Sequence, residues 1–572
     1  MKYVICYLLI LIFSLPKYSY SANYYVSNSG SDVNSGSTTA PWRTIEKATK
    51  SIVAGDTVYV RGGQYEGISN GWRFQNSGTQ SKPITFSNFP GEQVILKILT
   101  ADRNDREIFR CIINPRNPPS WSTPKADYIH IIGIDVTTRK LSNGVDSKKG
   151  IVVQGMVAEQ SSGIIAGDCD SWEVSGIDFV DVSNGIFTFK DNWSTMTEHS
   201  TDHWYVHDNR VHTYYRESGM QFNGNHNRIE NNEIYKVTDR VDTPYGCQLI
   251  NLLGNNNVVR GNKLSQLGSK TNCTGILFEW DISDNNVIEK NKIFGTSKGI
   301  DIEGGDNNII RNNIIYSTDT PSKFVGGIEI KSYDNNVKKD WPCDETEGSS
   351  QAIVPPNNPA HPDYKYYYNP RNCHSYGNQI YNNTIHGFVE GIRLYPLVGS
   401  GTIIRNNVFS MWSRGSICLY NSSNGTCRGL PTSLIADHNA SQGNFSFVDV
   451  NAHNFGLKSN SPLINSGYNL GSLVSDDFDG VPRPQSGNYD IGAYENKGSS
   501  TLPSTKPTLI TEGCSLPKIK GDTNCDGKIN LVDFSRWKAE YLGQVTTKIS
   551  DFNNDGQVNL VDFSVWKTEY LK

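Results

Sequence analysis

The sequence predicts an all-β chain: a right-handed parallel β-helix, or solenoid, over residues 22–496, followed by a small α-helical domain over residues 518–572. Two repeated patterns lead to this prediction. A short strand-like pattern returns along the middle of the chain, mostly at intervals of 22 to 30 residues, which is typical of a solenoid. An acidic loop pattern occurs twice near the C-terminus. With 572 residues, the chain is also long enough for more than one domain.

Residues 1–21 are predicted to be a signal peptide. Lys2 supplies the positive charge, the apolar core runs from Val4 to Leu15, and Ser19-Tyr20-Ser21 is a small-x-small cleavage site. The apolar core is too short to span a membrane comfortably, and no later stretch reaches the necessary length. We therefore expect a secreted, extracellular protein with no membrane span. The net charge of −5 gives no electrostatic reason to expect a nucleic-acid partner.

The strand-like pattern consists of an apolar residue, two variable residues, Asn, one variable residue and a second apolar residue. β-Branched residues alternate with polar ones in it, which favours strands over helices. A recurring Asn predicts an internal ladder, in which each side chain bonds to the backbone and to the next Asn; we expect no catalytic role for it. The repeated Asn residues are Asn209, Asn232, Asn262, Asn291, Asn313, Asn383 and Asn407.

The two ends of the predicted solenoid also have distinct patterns. Ile45, Ala48, Ile52 and Val53 would form one apolar face of a helix that caps the first coil. This opening resembles that of many secreted right-handed β-helix proteins, including polysaccharide lyases. Residues 461–495 resemble a closing segment that is common in secreted bacterial β-helix proteins, and we expect its acids to form turns rather than a catalytic site.

Two segments do not follow the coil pattern. An insertion at about 338–376 begins shortly after Lys331 and contains several aromatic residues. Long insertions in a regular structure are usually functional, so we expect it to overhang the neighbouring coils; a decorative loop held by a disulfide is the alternative. Residues 497–517 are rich in Ser, Thr, Pro and Lys and are predicted to be a linker.

Ten cysteines remain after removal of the signal peptide. An even number in an oxidising compartment favours disulfides, although free buried thiols are the alternative. The pairs suggested by proximity in sequence, with the two remaining cysteines joined to each other, are Cys247–Cys273, Cys343–Cys373, Cys418–Cys427, Cys514–Cys525 and Cys111–Cys169.

A second pattern, Gly followed by alternating apolar and variable residues, also recurs about once per coil. Because alternate residues of a strand face opposite sides, the apolar members should point into the coil and the variable members to solvent. Stacked coils place equivalent residues about 4.8 Å apart, so the outward residues should form two columns. The first predicted column is Gln221, Gln248, Leu277, Asp301, Glu329 and Arg393. The second is Asn223, Ile250, Glu279, Glu303, Lys331 and Tyr395.

These columns bring carboxylates and cationic side chains onto neighbouring coils of one sheet. Carboxylates this close repel one another unless they bind a cation or share protons, and they perturb a neighbouring lysine. The sequence therefore predicts a catalytic site here. A surface ladder of ion pairs, Glu303–Lys331 and Glu329–Arg393, is the alternative. The candidate catalytic residues are Glu279, Asp301, Glu303, Glu329, Lys331, Arg393 and Tyr395.

The run from Gly327 to Ser332, with Arg393 on the next coil, is similar to the arrangement in chondroitinase B and related alginate lyases. The resemblance implies that Lys331 is the base of a β-elimination, that Arg393 assists it, and that Glu303 and Glu329 bind a calcium ion that neutralises the uronate acid group. The predicted function is thus lysis of an acidic polysaccharide. A glycoside hydrolase that uses two of the four carboxylates as acid and base is one alternative. A non-catalytic carbohydrate-binding or structural β-helix protein is the other.

One further cluster could suggest a zinc site, because five histidines occur within 28 residues. The segment has a strand-and-turn pattern, so a helical pair of ligands is not expected and ordinary polar packing is favoured. The histidines are His199, His203, His207, His212 and His226.

Two loops near the C-terminus carry oxygen-bearing side chains at positions 1, 3, 5, 9 and 12 and Gly at position 6. This is the spacing with which one short loop wraps a calcium ion. Each loop ends in the same pattern, Leu-Val-Asp-Phe-Ser-x-Trp-Lys-x-Glu-Tyr-Leu, so chance is a poor explanation.

This C-terminal region resembles a dockerin over about 518–572, with Asp533 and Asp562 at the position where a standard EF-hand has Glu. The resemblance implies two calcium ions and a cohesin-bearing scaffold or cell-surface partner; a calcium-stapled domain without a partner is the alternative. Dockerins often have Ser or Thr at loop positions 10 and 11, which contact the cohesin. This chain has Leu531-Val532 and Leu560-Val561 there, so the sequence does not identify the cohesin partner. The implied ligands are Asp522, Asn524, Asp526, Asn530 and Asp533 for one ion, and Asp551, Asn553, Asp555, Asn559 and Asp562 for the other.

Overall fold

The structure, a computed structural model, divides into two compact units, Met1–Gly498 and Ser499–Lys572. The predicted signal peptide up to residue 20, the predicted insertion up to residue 374 and the predicted linker from residue 498 lie outside the described residues. The described residues are 21–68, 71–98, 107–112, 125–141, 144, 146–155, 161–188, 201–212, 218–236, 247–266, 273–278, 283–317, 325–331, 375–395, 398, 400–421, 424–497, 520–523, 529, 531–541, 550–553 and 556–570.

The large unit is a coil of short strands that stack into three faces, and strands on consecutive coils pair in parallel. The first face contains Asn23–Val26, Thr57–Val60, Ile84–Asn88, Ile129–Ile132, Glu173–Ser175, Tyr205–His207, Arg228–Glu230, Val258–Arg260, Val287–Glu289, Ile309–Arg311, Gln379–Tyr381, Ile403–Arg405 and Ile435–Asp437. The second contains Gly63–Glu66, Val94–Lys97, Ile151–Gln154, Ile177–Val180, Arg210–His212, Glu233–Lys236, Lys263–Gln266, Lys292–Phe294, Ile314–Tyr316 and Ala440–Ser441. The third contains Glu107–Ile112, Ser162–Gly167, Asn184–Thr188, Ser218–Asn223, Gln248–Leu253, Thr274–Phe278, Lys298–Glu303 and Gly326–Lys331.

Two long strands, Thr384–Leu394 and Val408–Asn421, pass through both the second and the third face. The second of them is followed by Thr426–Arg428, which pairs with it antiparallel. The remaining described strands form two small antiparallel pairs, and four helices are described. These elements are the strands Arg139–Lys140, Asp146–Ser147, Phe447–Asp449 and Asn454–Leu457, the α-helices Ile45–Ser51, Leu531–Tyr541 and Leu560–Tyr570, and the 3₁₀-helix Gly471–Val474.

The inside of the coil is filled by one apolar residue after another at equivalent strand positions. Ile229, Val259, Ile288 and Ile310 stand on successive coils of the first face and are fully buried. Burying such a side chain stabilises the fold by about 1.5–3 kcal/mol, and the repeat supplies it on every coil. The predicted all-β parallel helix is therefore confirmed.

The predicted asparagine ladder is also confirmed. The Nδ2 atom of Asn262 donates to the Oδ1 atom of Asn291 at 3.0 Å and to the backbone oxygen of Ile229 at 2.8 Å, and Asn291 repeats this bonding one coil further along. The ladder extends beyond the predicted residues to Asn439, which accepts from Asn407. Because each amide satisfies buried backbone groups in a turn, these residues are structural.

A second asparagine ladder was not predicted. Each member stands five residues before a member of the first ladder and accepts the backbone N–H of the corresponding residue on the preceding coil, at 2.8–2.9 Å. The spacing Asn-x-x-x-x-Asn is visible in the sequence and could have revealed it. Its members are Asn227, Asn257, Asn286, Asn308 and Asn378.

The helix Ile45–Ser51 begins after Thr44, whose hydroxyl accepts the backbone N–H of Lys47 and thereby caps the helix. Ile45, Ala48 and Ile52 join the core of the coil. Val53 is exposed, so its predicted place on the apolar face is wrong; it follows the end of the helix, where the backbone is extended and the helical spacing no longer applies.

The closing segment packs against the sides of the coil. The Arg483 guanidinium is buried, pairs with Glu495 at 2.8 Å and reaches Asn312 of the coil at 3.4 Å. The side chain of Asp477 accepts the backbone N–H groups of Asp479 and Val481, as expected for an acid that forms a turn.

Three of the predicted disulfides are present: Cys111–Cys169, Cys247–Cys273 and Cys418–Cys427. The pairs Cys343–Cys373 and Cys514–Cys525 lie outside the described residues. Among the helices described, we find none with the length and apolar character that crossing a membrane requires.

Candidate active site

The outward side chains of the third face form three columns rather than two. Most strands of this face contain a Gly at a tight corner, and the corner breaks the simple alternation of side chains. The residue just before the Gly therefore faces the same side as the residue two positions after it. Only Gly fits at the corner, because a Cβ atom at Gly299 would lie 2.4 Å from the oxygen of Gly327. The first column is Ser218, Gln248, Thr274, Lys298, Gly326 and Glu390. The second is Gln221, Asn251, Leu277, Asp301, Glu329 and Arg393. The third contains Asn223, Leu253, Glu303 and Lys331.

Two predicted column members are therefore wrong. Gln248 belongs to the first column and Asn251 takes its predicted place, while Ile250 points into the core. The prediction aligned this strand by Gly246, but the strand pairing puts the buried Leu249 at the position that Gly occupies on the neighbouring coils. The register from Leu277 onward agrees with the predicted columns.

The charged residues of the columns form one connected network. The Nζ atom of Lys331 lies 2.7 Å from Asp301 and 2.6 Å from Glu303. The Nζ atom of Lys298 lies 2.7 Å from Asp301 and 3.0 Å from Glu329.

The network continues onto the next coils. The Arg393 guanidinium lies 3.5 Å from Glu329 and 2.8 Å from Glu390. Glu390 also binds Arg414 at 2.7 Å, and Arg393 stacks on the ring of Tyr420 at 4.4 Å. Tyr395 contacts the same ring edge-on, with the ring centres 5.7 Å apart.

The network is much less open to solvent than predicted. The side chains of Asp301 and Glu329 are 2% and 0% exposed, whereas those of Lys331, Glu303 and Lys298 are 18%, 19% and 24% exposed. The prediction of solvent-facing columns is thus wrong for Asn223, Leu277, Asp301, Glu329 and Arg393, all of which are buried, because outward residues of a coil can be covered by their neighbours. Asp301 and Glu329 lie deepest, and Glu303 is as exposed as Lys331.

Burial and charge act in opposite directions here. Burial would raise the pKa of Asp301, but Lys331 and Lys298 hold it below its ordinary value. Burial and the neighbouring Asp301 charge raise the pKa of Glu329. Burial would lower the pKa of Lys331, but the carboxylates around it, Asp301 foremost, raise it.

Some buried oxygens of the network lack hydrogen-bond donors. Within the described part of the chain, Oδ1 of Asp301 and both carboxylate oxygens of Glu329 accept no hydrogen bond; the contacts of Glu329 with Lys298 and Arg393 are ion pairs only. No three His, Cys, Asp or Glu side chains among the described residues converge on a point that a metal ion could occupy. The lysine ammonium groups lie between the carboxylates instead.

Sequence reasoning missed four participants, Lys298, Glu390, Arg414 and Tyr420. The first two precede the Gly residues of the repeated pattern, three positions before a column residue, and this spacing is a usable signal. Arg414 and Tyr420 lie on the strand after Arg393, beyond the last repeat of the pattern. Glu279 and the aromatic residues of the predicted insertion lie outside the described residues.

Both ion pairs of the alternative, Glu303–Lys331 and Glu329–Arg393, are present, at 2.6 and 3.5 Å, and a similar ladder stands on the first face. There, Glu230, Arg260, Glu289 and Arg311 alternate in charge on successive coils and pair with their neighbours. The carboxylates of this ladder, Glu230 and Glu289, are 7% and 4% exposed, so buried acids are common to both faces; its arginines are 23–44% exposed, against 18% for Lys331.

The histidines show ordinary polar packing. His203 and His226 stack on each other, His207 bonds to Glu173 and Asp208, and His199 lies outside the described residues.

In the C-terminal unit, the last acid of each predicted calcium loop is fully buried in the first turn of a helix. Asp533 accepts the backbone N–H of Thr523 at 2.8 Å, and Asp562 accepts that of Phe552 at 2.7 Å. The two loops thus use equivalent bonds. Gly556 has a φ of 82°, which explains the need for Gly at loop position 6.

The remaining predicted ligands divide into two groups. Asp551 and Asn559 bond to backbone N–H groups within their loop, and Asp522 and Asn553 are also described. The predicted ligands Asn524, Asp526, Asn530 and Asp555 lie outside the described residues.

Three family models match the chain. The Pel9A-like right-handed β-helix region matches residues 24–168, the right-handed β-helix region matches residues 195–340, and the dockerin type I domain matches residues 520–569.

Among individual proteins, "Uncharacterized protein YwoF" of Bacillus subtilis is 42% identical over 72 residues, 13% of this chain. "Pectate lyase PEL9" of Emericella nidulans is 41% identical over 76 residues, also 13% of this chain. The chain spans only 15% and 18% of the length of these curated relatives. The solved structure of pectate lyase Pel9A has a TM-score of 0.46 at 16% identity, over 84% of this chain and 97% of that one. The protein is therefore a right-handed parallel β-helix protein that carries a C-terminal type I dockerin domain.

Proposed function

We propose that the protein is a secreted polysaccharide lyase that cleaves an acidic polysaccharide by β-elimination. The observation that carries the proposal is the network around Lys331, in which a partly exposed ammonium group contacts the buried Asp301 and the partly exposed Glu303 on one sheet. β-Elimination requires a base beside the carbon that carries the uronate group, and a positive charge that masks the carboxylate of that group.

The exposure of the side chains favours a lyase over a hydrolase. A hydrolase needs two carboxyl groups that both reach the glycosidic bond. Asp301 and Glu329 are buried, so among the described carboxylates of the second and third columns only Glu303 is partly exposed. Lys331 and Lys298, in contrast, can reach a bound sugar. One observation supports the hydrolase: the pKa values of Asp301 and Glu329 shift in opposite directions, as an acid and a base require.

The acidic residues of the network suit calcium by their chemistry. Carboxylate oxygens are the ligands that calcium prefers, and three buried oxygens of Asp301 and Glu329 accept no hydrogen bond from the described residues. As they stand, no three described carboxylates converge on one point, so Asp301, Glu303 and Glu329 would hold the ion only after the lysine ammonium groups between them move away. When bound, calcium would supply the charge that masks the uronate carboxylate, a role that the lysines cannot share while they stay paired with these acids.

Lys331 would act as the base once it leaves the acids. In its present pairing the carboxylates raise its pKa, so it is protonated and cannot accept a proton. Separation from Asp301 and Glu303 removes the two contacts that stabilise the ammonium, and burial then favours the neutral amine. Arg393, held by Glu390 and stacked on Tyr420, has a side chain that is only 9% exposed, so it would assist Lys331 through its charge on Glu329 rather than by contact with the substrate; the Tyr395 ring contacts the same Tyr420 ring.

The sequence matches agree with this substrate class. The name of one relative, pectate lyase, describes an enzyme that acts on a uronate polymer. The dockerin match supports a cohesin-bearing scaffold or surface protein as the partner and an extracellular location. Type I dockerin domains bind calcium, and the ten predicted ligands, from Asp522 to Asp562, would hold two ions.

Ultraviolet absorbance tests the proposal, because β-elimination leaves an unsaturated sugar end. The mature protein is incubated with pectate, alginate or a glycosaminoglycan in calcium, and we expect absorbance to rise with one of them. Lys331→Ala should abolish the rise. Lys331→Arg keeps the positive charge against Asp301 and Glu303 but provides no usable base, so it should keep the fold and still be inactive. Lys263→Ala, which removes an exposed lysine of the second face, is the matched control.

Each other result has a definite meaning. Full activity of Lys331→Arg would contradict the role of Lys331 as base. New reducing ends without absorbance would identify a hydrolase. Binding without either product would identify a non-catalytic carbohydrate-binding protein.

A further inference from the structure

The chain after Arg393 builds a rigid wall beside the candidate site. Val408–Asn421 and Thr426–Arg428 form a hairpin that the Cys418–Cys427 disulfide closes, and Cys418 pairs with Arg393 on the neighbouring strand. The hairpin therefore stands one coil, about 4.8 Å, beyond the column that contains Glu329 and Arg393.

Two side chains of this hairpin face the site. Arg414 is 38% exposed at its side chain, and its guanidinium is anchored by the fully buried Glu390 at 2.7 Å. Tyr420 lies between the guanidinium of Arg393, 4.4 Å from its ring centre, and the ring of Tyr395. The Arg414 guanidinium lies 5.9 Å from the same ring.

The distribution of charge in the network indicates that Arg414 could bind an anionic group. Four carboxylates (Asp301, Glu303, Glu329 and Glu390) and four cations (Lys298, Lys331, Arg393 and Arg414) sum to zero. Asp301, Glu329 and Glu390 are buried, while Arg414 is the most exposed of the four cations. An arginine whose position is fixed from behind by a buried acid presents its outer N–H groups in a constant geometry, which suits a carboxylate.

We propose that Arg414 and Tyr420 form a subsite for a second uronate residue of the same polysaccharide chain, next to the sugar that reacts. Arg414 would donate hydrogen bonds to the carboxylate of this residue, and the exposed part of the Tyr420 ring would contact its C–H face. The proposal rests on the proposed function for the identity of the sugar, but it concerns binding and not the chemical step.

The test measures binding in a protein that does not turn over. In full-length Lys331→Arg, calorimetry compares trigalacturonate, trimannuronate and galacturonate, each with and without Arg414→Gln. A hydrogen bond to a charged group contributes about 1.5–3 kcal/mol, so we expect Arg414→Gln to weaken the bound trimer about 10- to 100-fold and to leave the monomer unchanged. Methyl-esterified trigalacturonate, which lacks the charges, should show no dependence on Arg414.

Arg428→Gln is the matched control. Arg428 lies on the same hairpin and its substitution removes the same charge, but its guanidinium is bonded to Asn421 at 2.8 Å. Equal losses from Arg414→Gln and Arg428→Gln would overturn the subsite, since general electrostatic attraction would then explain both. Failure of both trimers to bind would also overturn it.

Further variants separate folding from binding. Arg414→Lys keeps the bond to Glu390 but not the forked geometry, so it should bind with intermediate affinity; unchanged affinity would contradict the proposal. Tyr420→Phe should bind normally and Tyr420→Leu weakly. Arg414-dependent binding in a protein without lyase activity would support the subsite and refute the proposed function. Lyase activity with binding that does not depend on Arg414 would support the proposed function and refute the subsite.

Discussion

Removal of one ladder asparagine should destabilise the coil far more than its size suggests. In Asn291→Ala, the backbone N–H of Asn262 loses its 3.0 Å bond to the Asn291 side chain, and the oxygen of Val259 loses a 2.9 Å bond. Both groups lie in the buried interior. The neighbouring ladder amides keep other partners: Asn262 retains Ile229, and Asn313 retains the backbone N–H of residue 291.

The magnitude follows from this count. A buried polar group left without a partner costs about 1–3 kcal/mol, so two such groups give a loss of about 2–6 kcal/mol in the free energy of unfolding. Chemical denaturation followed by tryptophan fluorescence measures the loss, and hydrogen exchange at the Asn262 amide locates it. Lys263→Gln, which breaks an exposed ion pair with Glu233, should change stability by less than about 1 kcal/mol.

A double-mutant cycle adds a sharper criterion. Asn262→Ala and Asn291→Ala share bonds, so their losses should not add, whereas Asn291→Ala and Asn407→Ala lie three coils apart and should add within about 0.5 kcal/mol. A loss below 1 kcal/mol for Asn291→Ala would refute the reasoning, since it would mean that water or a rearranged backbone replaces the lost bonds.

Three further predictions concern other parts of the molecule. Gly299→Ala should destabilise the coil by more than 1 kcal/mol, because its Cβ atom would meet Gly327 and Ile315 at 2.4 Å, while Gly429→Ala, with open space around it, should be neutral; equal melting temperatures would contradict this. Burial lowers the pKa of His386 to about 4. The unfolded chain then binds the proton more readily between pH 6.5 and 4, so stability is full above pH 6.5 and falls by about 2 kcal/mol between pH 7 and pH 5; His386→Gln should flatten this dependence in denaturant titrations. Removal of calcium with a chelator should unfold the C-terminal helices, as measured by circular dichroism of the excised domain, and Asp562→Ala should lower the calcium stoichiometry by one, whereas Glu569→Ala should leave it unchanged.

The repeat made the fold predictable from the sequence, whereas interruptions of the repeat limited how well the residues of the candidate site could be predicted. The period of the Asn residues and the alternation of apolar residues are properties of single strands, so they are visible in the sequence. The register of Gln248 was not, because Leu249 replaces the Gly that marks the corner on the neighbouring coils. Sequence spacing also gives only the direction of a side chain. The burial of Asp301 and Glu329 depends on what lies over them, and no local pattern contains that information.

The ion pairs of Lys331 could be predicted only in part, because the repeat fixes strand register but not the corners of the coil. Its strand register to Glu303 follows from the repeat, and the structure has the two residues opposite each other. The participation of Lys298 depends on the corner at Gly299. Strict alternation would point Lys298 into the coil, but the corner turns its side chain outward, where it contacts Asp301. Corners of this kind are where period-2 reasoning fails.

The buried Arg483 has a mechanical consequence. If the dockerin domain anchors the protein, tension on the chain enters the coil near Asn496, whose neighbour Glu495 holds Arg483. Arg483 is linked in turn to Asn312, and Asp490 to Asn382, on coils well inside the stack. A pull on the tether would thus be shared with coils that precede the last one instead of acting on the last coil alone.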